Sequence, residues 1–201
     1  MDHNDSNGGK TPCRACFASP DNVASLSVNA EQKDELRDQP IAVFDSGLGG
    51  LTVVRELLRV MPGEDILYLG DTARVPYGIK SLETVRRFSF EIASYLLVCC
   101  PKMLVVACNT ASAAAVEELE KRCPVDVVDV IRPGAAAAIA ACKGDIGVIA
   151  TEATIGSGAY VRAIHALDPK RPPDRRRSGA PMAPSTWRWR LPEAGSACIR
   201  G

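Results

Sequence analysis

The sequence predicts an α/β fold, doubly wound, on a mostly parallel sheet of the flavodoxin-like kind, as one domain with disordered ends. Three observations predict it. Between Pro40 and Pro169 short apolar runs alternate with longer amphipathic ones. The short runs are apolar at almost every position, without the alternation of a half-exposed sheet. Each is followed by a stretch with helical spacing, the rhythm of parallel strands joined by helical crossovers.

Taken in order, Ile41–Phe44 is a strand-length run ending in Asp-Ser-Gly, and Leu51–Val60 has helical spacing until Met61-Pro62-Gly63 stops it. Ile66–Leu69 predicts a second strand, leading through the loop Gly70–Gly78 to a helix from Ser81 to about Val98. Ser81 suits the N-cap, Glu83 suits the positive end of the helix dipole, and Leu82, Val85, Ile92 and Leu96 share a face. After Pro101, Met103–Ala107 predicts a third strand, followed by Cys108-Asn109-Thr110 and an alanine-rich helix to about Arg122. Val125–Val130 predicts a fourth strand before a helix at Pro133–Cys142. Ile146–Ala150 predicts a fifth, feeding a helix near Ser157–Ala166.

The flanks have another texture. Residues 1–39 are rich in Asn, Asp, Ser and Gly without sustained periodicity, which predicts a disordered leader. Residues 170–201 are rich in Arg, Pro, Ala and Gly, hold both tryptophans, and show neither period. This tail is expected to be disordered, and its composition suggests a shifted reading frame or a wrongly joined gene. It carries eight basic residues against two acidic ones, so a nucleic-acid-binding tail is the functional rival.

Over all 201 residues, 24 basic side chains balance 24 acidic ones, which argues against a nucleic-acid or anionic-membrane surface on average. No apolar window approaches the ~18 residues needed to span a bilayer, and Met1–Lys10 is polar, so a cytoplasmic location is expected. The eight cysteines are read as reduced thiols, most of them in apolar segments. Cys13 and Cys16 form a lone Cys-x-x-Cys with no second pair at zinc spacing, and the expectation is no metal.

Ligands of open parallel sheets bind at the carboxyl ends of the strands, so polar residues in the strand-to-helix loops are the candidates. The first loop, Asp45-Ser46-Gly47-Leu48-Gly49-Gly50, begins like a dinucleotide fingerprint, but Thr52 stands where its third glycine belongs. It reads either as a tight strand–helix connection or as a site where Asp45 orients a neighbour and Ser46 bonds a ligand. In the third loop Cys108 follows an apolar strand and precedes a helix, a place that favours the reactive thiolate. The alternative there is a buried, inert thiol, which is the reading kept for Cys99, Cys100, Cys123 and Cys142.

Together, Val43 to Leu51 (VFDSGLGGL), Gly70 to Gly78 (GDTARVPYG) and Val105 to Ser112 (VVACNTAS) resemble the glutamate racemase family. The similarity continues through Ile131-Arg132-Pro133-Gly134-Ala135 and Ile146–Thr151 and fades after His165–Pro169, about 130 residues in all. The resemblance implies a reaction without pyridoxal phosphate, metal or other cofactor, in which one cysteine removes the α-proton of glutamate and another returns a proton from the opposite face. It implies Cys108 as the first acid/base, assisted by Asp45. Asp45, Ser46, Tyr77, Gly78, Asn109 and Thr110 are implied as substrate-holding groups, with Thr154 a further candidate. The expected partner is a small-molecule substrate, glutamate, with no nucleic acid and no membrane; a homo-oligomer stays open.

One departure is large. The family's second cysteine lies in a Gly-Cys-Thr-His stretch that this sequence lacks, and Cys198 stands in the anomalous tail. The chain therefore reads as a truncated N-terminal half with low or no activity. The alternatives are an inactive fragment that binds a dicarboxylic amino acid or an intact racemase, and an enzyme of the aspartate racemase type.

Overall fold

In the computed structural model, which describes residues 37–144 and 146–170, the run after Pro40 forms strand β1 (Ile41–Asp45), buried at all five positions. Helix α1 (Leu51–Val60) and strand β2 (Ile66–Gly70) follow, then a single 3-10 turn at Tyr77–Ile79. Helix α2 (Leu82–Leu97) begins where predicted, with the Ser81 hydroxyl accepting from the Thr84 N–H. Strand β3 (Met103–Val106) runs into helix α3 (Asn109–Arg122), and strand β4 (Asp126–Asp129) into helix α4 (Ile131–Ala141). Two helices close the described chain, α5 (Glu152–Ser157) and α6 (Ala159–Leu167).

The strands pair in parallel in the order β2-β1-β3-β4. That is the flavodoxin-like order as far as its fourth strand, so the predicted α/β class holds. The pleat of β1 explains the two-sided core. Ala42 and Phe44 pack with Leu96 of α2 and with Ala111, Ala115 and Leu119 of α3. Ile41 and Val43 point the other way, onto Val53, Val54 and Leu57 of α1. A strand apolar at successive positions is the signature of burial on both faces.

The sequence expectation fails at the fifth strand. Ile146–Ala150 has no strand pairing, and Ile149 is exposed. A run of five residues has no period long enough to separate a ladder from a connecting segment. Its expected neighbour β4 has only four residues, and Asp126 and Val128 alternate outward. The last predicted helix is found as α6, within two residues of its expected bounds, and the short helix α5 before it was not predicted; Gly158, at φ +67°, ends α5 and separates the two. Helix α4 starts two residues earlier than predicted: buried Asp129 accepts from the N–H groups of Ile131 and Arg132, at 2.6 and 2.8 Å. Pro133 then sits in the first turn, where its missing N–H is no loss.

Cys99, Cys108, Cys123 and Cys142 form no disulfide, as expected, but Cys99 is exposed rather than buried, and Cys100 is disulfide-bonded rather than reduced. Cys13, Cys16, Cys198 and nearly all of the leader and of the tail lie outside the described residues. Burial pushes the Cys123 thiol from its ordinary 9.0 up to about 11, against a smaller pull from Arg122. A thiol that holds its proton more tightly when folded adds stability that is intact below pH 9 and is lost as the pH climbs towards 11. That difference corresponds to about 2–3 kcal/mol. We expect Cys123→Ala to be less stable than the parent at pH 7 but to lose less between pH 9 and 11. Urea midpoints across that range read this out, and parallel slopes would contradict it.

Candidate active site

Strands β1 and β3 are neighbours although β2 separates them in sequence, so strand order reverses between them. The crevice at such a reversal is where open parallel sheets hold ligands. Asp45 ends β1 on one side of it, and Cys108 follows β3 on the other. The sequence therefore delivers its two strongest candidates to one place.

Cys108 is the N-cap of α3, and its sulfur accepts from the Ala111 N–H at 3.5 Å. The thiol donates to the Ser46 hydroxyl at 3.4 Å. Only 6% of the residue is exposed, and it borders the apolar cluster under α2 and α3. Of its two polar contacts, one is the cap of its own helix and the other reaches the loop after β1.

Asp45 is buried, and its Oδ2 accepts from the N–H groups of Gly47 and Gly50, at 3.1 and 2.9 Å. The carboxylate thus anchors the start of α1 through one oxygen. The loop is the tight connection of the first reading, and it also sets Ser46 beside the Cys108 sulfur. Tyr68 supports it from β2 by donating to the Gly47 carbonyl at 2.8 Å. Burial raises the Tyr68 phenol above its ordinary value, and Asp45 and Cys108 raise it further.

Tyr77 is 2% exposed, and its hydroxyl donates to Asp71 at 2.5 Å. Burial, reinforced by Asp71, holds the phenol protonated far above its ordinary range. Arg74 donates from Nε to the same Asp71 oxygen at 2.6 Å, pairs with Glu91, and lies 4.2 Å over the Phe88 ring. With its hydroxyl committed inward, Tyr77 has only its backbone and ring edge to offer a ligand.

Gly78 lies next to it, pressed on Thr151: a Cβ at 78 would stand 2.6 Å from Thr151 Cγ2. Thr110, Thr151 and Thr154 form a triangle of hydroxyls, with Thr110 Oγ1 3.0 Å from Thr151 and 3.4 Å from Thr154, and those two 2.9 Å apart. Thr151 also caps α5 by accepting from the Thr154 N–H. A cleft of about 410 Å³ beside this triangle is lined by residues that include Gly78, Lys80, Ser81 and Glu152. Asn109, the first residue of α3, accepts from the Tyr160 hydroxyl.

The structure thus brings Asp45, Ser46 and Cys108 together, sets Thr110 with Thr154, and packs Gly78 on Thr151, whose hydroxyl lies within hydrogen-bond distance of both. Tyr68, Asp71, Arg74 and Tyr160 escaped sequence reasoning. Asp71 and Arg74 lie inside the Gly70–Gly78 loop, and their spacing of three is a usable signal. Tyr68 and Tyr160 sit in apolar runs with none.

Residues 46–184 match the family model described as Asp/Glu/Hydantoin racemase. The chain belongs to this racemase family. A glutamate racemase of Geobacter metallireducens is 56% identical over 131 residues, which cover 65% of this chain and 48% of that protein. One from Streptococcus pneumoniae is 48% identical over 133 residues, covering 66% and 50%. The crystal structure of a glutamate racemase from Bacillus anthracis superimposes with a TM-score of 0.65 at 48% identity, covering 66% of this chain and 50% of that one. That of the Francisella tularensis glutamate racemase in complex with D-glutamate gives 0.60 at 44%, with the same coverage. The chain spans about half the length of the relatives it matches.

Among the described residues no three His, Cys, Asp or Glu side chains gather to hold a metal ion, and no helix is long and apolar enough to cross a membrane.

Proposed function

We propose that residues 40–169 form one α/β domain supplying one side of a cofactor-independent glutamate racemase site. The observation that carries this reading is the Cys108 sulfur, set on the N-terminus of α3 within 3.4 Å of Ser46 and across the strand reversal from Asp45. In this reading Cys108 as thiolate takes the α-proton: the C–H bond breaks, an S–H bond forms, and the electron pair spreads into the α-carboxylate. Delivery of a proton by a second acid on the opposite face then inverts the centre. An α-proton is weakly acidic, so the developing charge needs donors fixed in advance. Ser46, Asn109, Thr110, Thr154 and the backbone at Tyr77–Gly78 are the groups offered for that and for the substrate's charges. The product would be D-glutamate for peptidoglycan, made in the cytoplasm without metal or pyridoxal phosphate.

The described residues offer one acid/base of the required pair, and the chain spans about half of its relatives. This favours a second reading, a half-site that binds a dicarboxylic amino acid or an intact racemase without turning substrate over. Incubating purified chain with L-glutamate and assaying D-glutamate tests both. We expect little or no D-glutamate, together with a melting temperature that rises with glutamate more than with aspartate. Fast turnover by the chain alone would require a second proton carrier within it. Absence of any glutamate-dependent shift would remove the site from both readings.

A further inference from the structure

Tyr160 stands in the first turn of α6 and reaches back to the first residue of α3. Its hydroxyl lies 2.6 Å from Asn109 Oδ1. Two features of the fold build this contact. Gly158, at φ +67°, reverses the chain between α5 and α6 and so returns α6 towards α3 and α4. Gly134 places α4 beside the ring, where even a Cβ would meet the Tyr160 hydroxyl oxygen and Cε1 at the ordinary contact distances of 3.4 and 3.6 Å. Burial and the Asp129 carboxylate raise the Tyr160 phenol above its ordinary value, so it remains a donor.

We propose that Tyr160 is a positioning residue for Asn109: by occupying the amide oxygen it leaves only the NH2 group to face a ligand. Position 109 then acts as a hydrogen-bond donor suited to a carboxylate and unsuited to an ammonium group. An amide has one acceptor and one donor end, and a hydrogen bond at one end selects which the ligand meets. This assignment deepens the proposed glutamate site and rests on that reading for the identity of the ligand.

The test compares the parent chain with Tyr160→Phe and Asn109→Asp by calorimetric titration with glutamate, alongside NMR of the side-chain amides. We expect Tyr160→Phe to weaken glutamate roughly three- to tenfold, the range of one hydrogen bond. Asn109→Asp is expected to weaken it more, because the carboxylate keeps its bond to Tyr160 and turns a negative oxygen to the ligand. In the unliganded chain the Asn109 NH2 resonances, assigned by their loss in Asn109→Asp, are expected to shift in Tyr160→Phe while distant backbone signals stay in place. Unchanged NH2 resonances, or an Asn109→Asp chain that binds as tightly as the parent, would overturn the inference. A parent chain that binds no glutamate would count against the proposed function instead, with the NMR comparison still deciding whether Tyr160 holds the amide.

Discussion

Joined to the remaining half of its Geobacter relative, the chain is expected to interconvert L- and D-glutamate, and Cys108→Ser is expected to cut that turnover by about 10³-fold or more. A positioned acid/base contributes about 10²–10⁴-fold to a proton transfer, and a serine hydroxyl gives up its proton far less readily than a thiol. The structure makes this substitution cleaner than most. The sulfur caps α3 by accepting from the Ala111 N–H, and serine is among the preferred residues at that position. Stability should therefore change by less than about 1 kcal/mol while the chemistry is lost. Steady-state assays in both directions, with thermal melts on the same samples, check the two halves of the expectation. A Cys108→Ser chimera that keeps a tenth of parent turnover would show that another group carries the proton.

Gly70→Ala is expected to have the largest effect on stability, a loss of about 3 kcal/mol or more. A Cβ there would lie 2.1 Å from the Gly47 carbonyl oxygen, and the obstacle is backbone, which cannot rotate aside. That carbonyl is also the acceptor for Tyr68, so relief by shifting the loop would break a second contact and draw Ser46 away from Cys108. For a domain of this size the loss is roughly 10 °C or more in melting temperature. Thermal denaturation and near-UV circular dichroism measure it. A variant that melts within about 2 °C of the parent would mean that the loop after β1 has slack the geometry does not show.

The parts of the fold carried by long periodic segments were legible in the sequence. Strands β1 to β4 and helices α1 to α4 fall within two residues of their expected bounds, because burial on both sheet faces and helical spacing leave repeated signals. Ile146–Ala150 misled because five apolar residues look alike in a strand and in a connection. The site was legible where chemistry is concentrated at strand ends, as at Asp45, Ser46 and Cys108. Tyr77 was legible as a residue but not in its orientation, since nothing local announces that its hydroxyl turns inward to Asp71. Tyr160 was invisible for a related reason: its partner Asn109 lies 51 residues away, and only the turn at Gly158 joins them.

The anchoring of Asp45 sets how a ligand would experience this end of the sheet. Two backbone N–H groups clamp one carboxylate oxygen from either end of a four-residue bend. The rotational freedom of that side chain is surrendered when α1 forms. An arriving molecule would meet a negative group already immobile, and the entropy of freezing it would be absent from the binding equilibrium.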